Sequence, residues 1–192
     1  MATTIYFVSE TVLKNNSPIS LNVEPQLLNI ALTDAQEMHV QMALGSLLYE
    51  KLKTLISTGD ISTATYTDYK TLLDNYVVPA TISWALVESL SYIRFKIMNK
   101  SVTSQASDNT APADLEELKY LHSQLRDKAE FKQQRLINYL IENRTKYSEY
   151  TATTDIDDID PACNGYFSGI VLDDDCDCSR YLGLNSHTED II

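Results

Sequence analysis

Apolar side chains return every three or four residues in three long blocks of this chain, a period that admits helices and little else. Ala35, Met38, Met42 and Ala43 open the first stripe, and Leu47, Leu48, Leu52, Leu55 and Ile56 continue it. In residues 63–99 the stripe is Ile82, Ala85, Leu86, Leu90, Ile93 and Ile97, widened by Trp84 and Tyr92. A third, narrower stripe, Leu115, Leu118, Leu121, Leu125, Ala129, Leu136 and Leu140, runs through a mostly charged helix spanning about 112 to 144. Five glycines and five prolines in 192 residues leave too few tight turns for an all-β chain. The expected fold class is all-α, an antiparallel bundle of about four to five helices.

Breakers place the corners. Gly45 interrupts the first block, where a mid-helix glycine costs about 1 kcal/mol relative to alanine. It fits the residue after a helix end, with Ser46 capping the next helix; the rival is a through-helix in which Gly45 packs closely. Asn22 is a candidate cap ahead of Glu24 and Pro25, and Thr33 with Gln36 forms a possible capping box that restarts the helix at Asp34. "STGD" closes the following helix. Pro79 lacks a backbone donor, so the 63–99 block is kinked or split near Val78. From Val77 to Leu90 the sequence is apolar around most of its circumference, which marks the central helix. Residues 101–114 read as a polar linker. Asp114, Glu116 and Glu117 precede the long helix body and Arg144 and Lys146 follow it, in keeping with the helix dipole.

Three segments result: an extended N-terminal lead-in at 1–23, a helical body at 24–150, and a non-helical acidic arm at 151–192. Ile5, Phe7, Val8, Val12 and Leu13 make the lead-in too apolar for a free tail. In the arm helical periodicity stops, and "GYFSGIVL" has β character between runs of acids. Such a segment can add a strand to another chain, or remain a disordered acidic tail.

Charge is distributed unevenly. Residues 1–152 carry 14 Lys and Arg against 17 Asp and Glu, whereas the last 40 residues carry one Arg and ten acids. Phosphate recognition needs clustered cations, so a basic nucleic-acid-binding face is not expected. No stretch approaches the roughly 18 apolar residues of a membrane span. "MATTIYFVSETVLKNN" lacks the charged and apolar regions of a secretory signal, which points to synthesis in a cytoplasm. Three cysteines, an odd number, do not suggest a disulfide framework.

Chemistry-bearing motifs are scarce. His39 and His122 are isolated on helices, and no nucleophile elbow, phosphate loop or His-Glu-x-x-His occurs. No catalytic residue and no cofactor are expected. Cys163, Cys176, Cys178 and His187 are the metal-ligand candidates, yet Cys-x-Cys with a distant histidine matches structural zinc spacing poorly. The twelve tyrosines carry more weight, because tyrosine buries large area and keeps a polar tip at interfaces. Tyr49, Tyr139, Tyr147 and Tyr150 in the body, with Tyr166, Phe167, Ile170 and Leu172 in the arm, are the interface candidates; the other reading of such tyrosines is core edging.

The order of these segments resembles the head–tail connector (adaptor) proteins of tailed bacteriophages. The pieces are the run Ala35, Gln36, Leu44, Gly45, Leu48, Tyr49 and Leu52, then the Pro79 helix, then the ending Ala129, Tyr139, Leu140, Asn143, Tyr147 and Tyr150. The resemblance covers about residues 8–150 and leaves the cysteine-bearing tail aside. It implies a non-enzymatic virion subunit that forms a ring, typically of twelve copies, on the portal protein. Such a ring extends the DNA channel without binding DNA specifically and presents a platform to the next neck or tail protein. A closed ring needs two different adhesive faces, for which the flanks of the 112–144 helix and the tyrosine-rich edges are candidates. Two other readings compete: a metal-binding or redox module built on the tail, and a generic helical interaction protein of the host cytoplasm.

Overall fold

A computed structural model describes residues 4–97, 102–104, 115–151, 159 and 161. The lead-in is not simply extended. The Ser9 hydroxyl accepts from the Val12 N–H (3.3 Å) and so caps a short helix, α1 (Glu10–Asn15), whose Leu13 is fully buried. Phe7 and Val8 are buried beside it, so the lead-in packs on the body of its own chain.

Helix α2 (Pro25–Asp34) begins with Pro25 in its first turn, where the missing N–H costs nothing; Glu24, not Asn22, is the flanking cap residue. The expected restart at Asp34 does not occur. The Thr33 hydroxyl donates to the Asn29 carbonyl instead of capping, and the rod continues through a π turn (Ala35–Val40) into α3 (Gln41–Leu44). Gly45 then turns the chain with φ 75° and ψ 157°, a backbone region open essentially to glycine, and α4 (Ser46–Thr58) departs. Gly45 is therefore a corner, and the through-helix reading is excluded. Gly59 ends α4 in the left-handed conformation.

Two 3-10 turns (Asp60–Ser62 and Ala64–Tyr66) lead to α5 (Thr67–Leu72), a second π turn (Leu73–Val77) and α6 (Val78–Arg94). The break expected near Val78 takes the form of this widened turn. Pro79 cannot donate to the carbonyl four residues back, and a wider turn just before it relieves the clash without ending the rod. Helix α6 is the central element: Ala80, Thr81, Ile82, Ser83, Trp84, Ala85, Val87 and Ser89 are all buried. Buried Thr81 donates its hydroxyl to the Val77 carbonyl, so no polar atom there is orphaned.

The sequence reading placed Ile97 on this helix, but α6 stops at Arg94. Strand β1 (Phe95–Ile97) pairs antiparallel with β2 (Val102–Ser104), Phe95 opposite Ser104 and Ile97 opposite Val102. Short β-branched and aromatic runs in Phe95–Ile97 and Val102–Ser104 favour strand pairing over continued helix. The expected linker at 101–114 thus begins as a strand; 105–114 lies outside the described residues. Helix α7 (Leu115–Glu142) follows, then a 3-10 turn (Arg144–Lys146) and α8 (Ser148–Thr151).

The rods run antiparallel. Ser83 and Trp84 of α6 meet Lys132 and Gln133 of α7, while Ser91 and Phe95 meet Leu118 and Lys119. Likewise Asp34 bonds Tyr92, and His39 meets Trp84 and Glu88. The core between them holds Leu28, Leu32, Leu44, Leu48, Leu52, Leu72, Val77, Ala85, Leu136 and Leu140. Each such buried leucine contributes roughly 1.5–3 kcal/mol of apolar transfer. The body is an all-α helical bundle, as its periodicity predicts. Of the arm, only Thr151, Ile159 and Pro161 are described.

Candidate interaction surface

The body tyrosines taken as interface candidates turn inward. Tyr147 is fully buried, and Tyr49 and Tyr150 nearly so. Tyr139 is half-buried, with its ring stacked on Tyr76 at 4.0 Å. The Tyr147 hydroxyl donates to the Asp68 carbonyl (3.0 Å) and lies 3.1 Å from the Tyr139 hydroxyl. Tyr69 packs edge-on against Tyr147 (5.3 Å) and donates to Glu149 Oε2 at 2.7 Å. Burial first, then their hydrogen bonds to Glu149 and Tyr139, push the Tyr69 and Tyr147 phenols far above the usual tyrosine range. These rings fasten the last part of the helical body, 139–150, to α5 and α4. They are core adhesive, for the reason that suited them to interfaces: large area with a polar tip that finds a partner. Tyr166, Phe167, Ile170 and Leu172 lie outside the described residues.

Tyr49 serves a second fastening. Buried Gln36, within the first π turn, donates from Nε2 to the Tyr49 hydroxyl (2.9 Å) and to the Ile5 carbonyl (3.0 Å), and its Oε1 accepts from the Phe7 N–H (2.9 Å). One amide thereby ties the lead-in to α2 and α4. The capping-box reading of Gln36 missed this, because nothing local in the sequence reveals partners 29 to 31 residues away.

Among the described residues, exposed apolar side chains occur on α7 as well as at Leu21, Ile30 and Met38. The C-terminal half of α7 inserts Ala129, Leu136 and Leu140 into the core, all at 0% exposure. In its N-terminal half Leu121, on the same stripe, is 46% exposed among the described residues. Tyr120 and Phe131 stand 68% and 71% exposed on the helix. Phe131, between Glu130 and Lys132, is a large aromatic set among charges. That contrast was visible in the sequence and not picked out.

Two grooves flank α7 where it crosses α6. The first, about 710 Å³, runs past Met38, Met42, Trp84, Val87 and Ile137. His39 stacks flat on Trp84 (3.6 Å, 4°), and its Nε2 lies 3.1 Å from Glu88 Oε1. Trp84 Nε1 donates to Gln133 Oε1, and Gln133 Nε2 to the His39 carbonyl. His39 and His122, isolated in sequence, thus line one groove. The second groove, about 480 Å³, is walled by Ile82, Leu86, Leu125 and Phe131, with Lys128 and Lys132 on its rim. Lys132 Nζ donates to Ser83 Oγ (2.7 Å); burial and the neighbouring Lys128 charge pull its ammonium below the usual lysine range. Both grooves are mostly apolar with a few charges, a composition suited to holding a peptide or helix rather than activating a bond.

Cys163, Cys176, Cys178 and His187 lie outside the described residues. Among the described residues no group of three His, Cys, Asp or Glu side chains is placed to hold a metal ion, and no helix is long and apolar enough to cross a membrane.

The fold and surface together define a helical-bundle protein whose long helix α7 is part core and part exposed apolar surface. The profile of a family described as "Family of unknown function (DUF6712)" matches residues 40–158, and the chain belongs to that family. The match takes in α3 to α8 and stops just short of Ile159. No curated protein and no solved structure matches the chain.

Proposed function

We propose that this chain is a ring-forming structural subunit of a tailed-phage virion, a head–tail connector that docks on the portal and carries the next neck or tail protein. The supporting observation is the division of α7: Ala129, Leu136 and Leu140 are embedded in the chain's own core, whereas Tyr120 and Leu121 nearer its N-terminus are exposed and can meet a neighbour. A ring needs heterologous contact, one face meeting a different face, and the exposed side of α7 can supply one of them. The order of segments shared with connector proteins supports the same reading, as does the near balance of charge in residues 1–152, which suits a channel wall past which DNA slides. In this reading no side chain is catalytic and no cofactor is held; the work is positional.

The test is native mass spectrometry and negative-stain electron microscopy of the purified chain, alone and with the portal protein of the same phage. A closed ring is expected, and Leu121→Lys should abolish it while leaving the helical circular dichroism intact. A chain that stays monomeric at high concentration beside its portal overturns the reading.

A further inference from the structure

We propose that the second groove, walled by Ile82, Leu86, Leu125 and Phe131 under Lys128 and Lys132, is the seat for residues 166–175 of the chain's own tail.

The groove asks for a ligand that is apolar along its length and anionic at one edge. Its walls are aliphatic and aromatic, and Phe131 is 71% exposed above it. Lys128 and Lys132 rise one helical turn apart on that wall. Neither forms an ion pair with a carboxylate among the described residues, although Asp127 also lines the groove. Lys132 has the neutral Ser83 hydroxyl at 2.7 Å, and burial with the neighbouring Lys128 charge lowers the affinity of its amine for a proton. A carboxylate arriving there meets two unpaired cations in a partly desolvated place, where ion pairing is stronger than on open surface.

The tail has the matching composition. Tyr166, Phe167, Ile170, Val171 and Leu172 supply the apolar run, and Asp173, Asp174 and Asp175 follow at once. The body carries almost no net charge, so the tail, with ten acids against one arginine, is the strongest local source of anionic chain. Its starting point is also fixed. Ile159 and Pro161 lie against the corner between α3 and α4, held by the Ser46 bonds. Four residues, 162–165, separate Pro161 from Tyr166, a link that spans at most about 17 Å when extended. The proposal stands apart from the ring reading, since the segment can seat on its own chain or on a second copy.

The tail carries its own probe, Cys176 and Cys178, directly after the acidic run. In the full-length chain, Asp127→Cys places a thiol in the groove at an exposed position, and Gln134→Cys places one beside the other groove. Mild oxidation followed by peptide mass spectrometry should find a disulfide from position 127 to Cys176 or Cys178, with little from position 134. Adding Lys128→Glu should cut its yield about fivefold, and high salt should act likewise. Gel mobility tells linkage within a chain from linkage between copies, and either supports the seat. Absence of the disulfide, equal yield at position 134, or indifference to Lys128→Glu overturns it. Circular dichroism of each variant confirms that the bundle is intact, and Lys132→Glu is the second charge variant.

Discussion

Ser46 and Ile159, 113 residues apart, exchange two hydrogen bonds: the Ile159 N–H donates to Ser46 Oγ and the Ser46 N–H to the Ile159 carbonyl, both at 2.9 Å. Ser46 opens α4, where backbone donors have no partner within the helix. The returning segment satisfies one of them, and Pro161 closes over Gly45. A Cβ on Gly45 would stand 2.6 Å from Pro161 Cδ and 3.2 Å from the Ile159 carbonyl oxygen.

Gly45→Ala is therefore expected to destabilise the chain by about 3 kcal/mol, combining a backbone region closed to alanine with displacement of Pro161. Gly59→Ala, at φ 80° with nothing within 4 Å of the new methyl, should cost only about 1 kcal/mol. Urea denaturation measures both. Equal losses would mean that the 159–161 segment adds nothing to the requirement for glycine at 45.

Gln36→Leu should cost about 2–3 kcal/mol, because the Tyr49 hydroxyl, the Ile5 carbonyl and the Phe7 N–H lose their shared partner at once. Limited proteolysis should then cut within residues 4–20, which the unaltered chain protects. A variant whose lead-in stays protected would show that the packing of Phe7, Val8 and Leu13 suffices alone.

Stability should be greatest across a neutral window and fall on both sides. Tyr69 and Tyr147 have folded-state affinities for their protons well above the ordinary value of 10.0, so their contribution is complete below about pH 10 and is lost as pH rises beyond it. Burial alone would raise the Glu149 carboxyl, but bonds from Tyr69 and Ser148 and the charge of Lys51 outweigh it and hold the group below its ordinary 4.5. Its contribution is present above that value and fades as pH falls below it. Tyr69→Phe should flatten both limbs. Urea midpoints that are equal near neutrality and at about pH 10.5 in the unaltered chain would refute the alkaline limb.

Two leucines of one helix should behave oppositely. Leu136→Ala, at 0% exposure, should cost about 2–5 kcal/mol of stability. Leu121→Ala, nearly half exposed, should cost under about 0.5 kcal/mol yet weaken assembly. Thermal denaturation reads the first effect and sedimentation velocity the second; a Leu121→Ala chain that assembles as well as its parent would remove the N-terminal half of α7 from the interface.

Much of the bundle was legible because local pattern and final structure agree. The 3.6-residue period of Leu48, Leu52 and Leu55 put α4 on one face, Gly45 marked the corner, and Pro79 marked the irregular turn before α6. The hairpin at Phe95–Ile97 was misread because Ile97 extended the helical period by one more step, and a three-residue strand has no period of its own. The site was much less legible. Tyr49, Tyr147 and Tyr150 looked like adhesive for a partner because composition records what a ring can do, not which way it points. Leu121 looked like core for the matching reason, that a continuous stripe gives no sign of where its cover ends.

Sequence alone settled the helices, their approximate ends and the acidic tail, since each follows from interactions between residues a few positions apart. Only the assembled molecule decided that Gln36 holds the lead-in, that Ile159 returns to Ser46, that Tyr49, Tyr147 and Tyr150 face inward and that Tyr120 and Leu121 of α7 are exposed. Those outcomes depend on groups 29 to 113 positions apart meeting in space, and no local period encodes such distances.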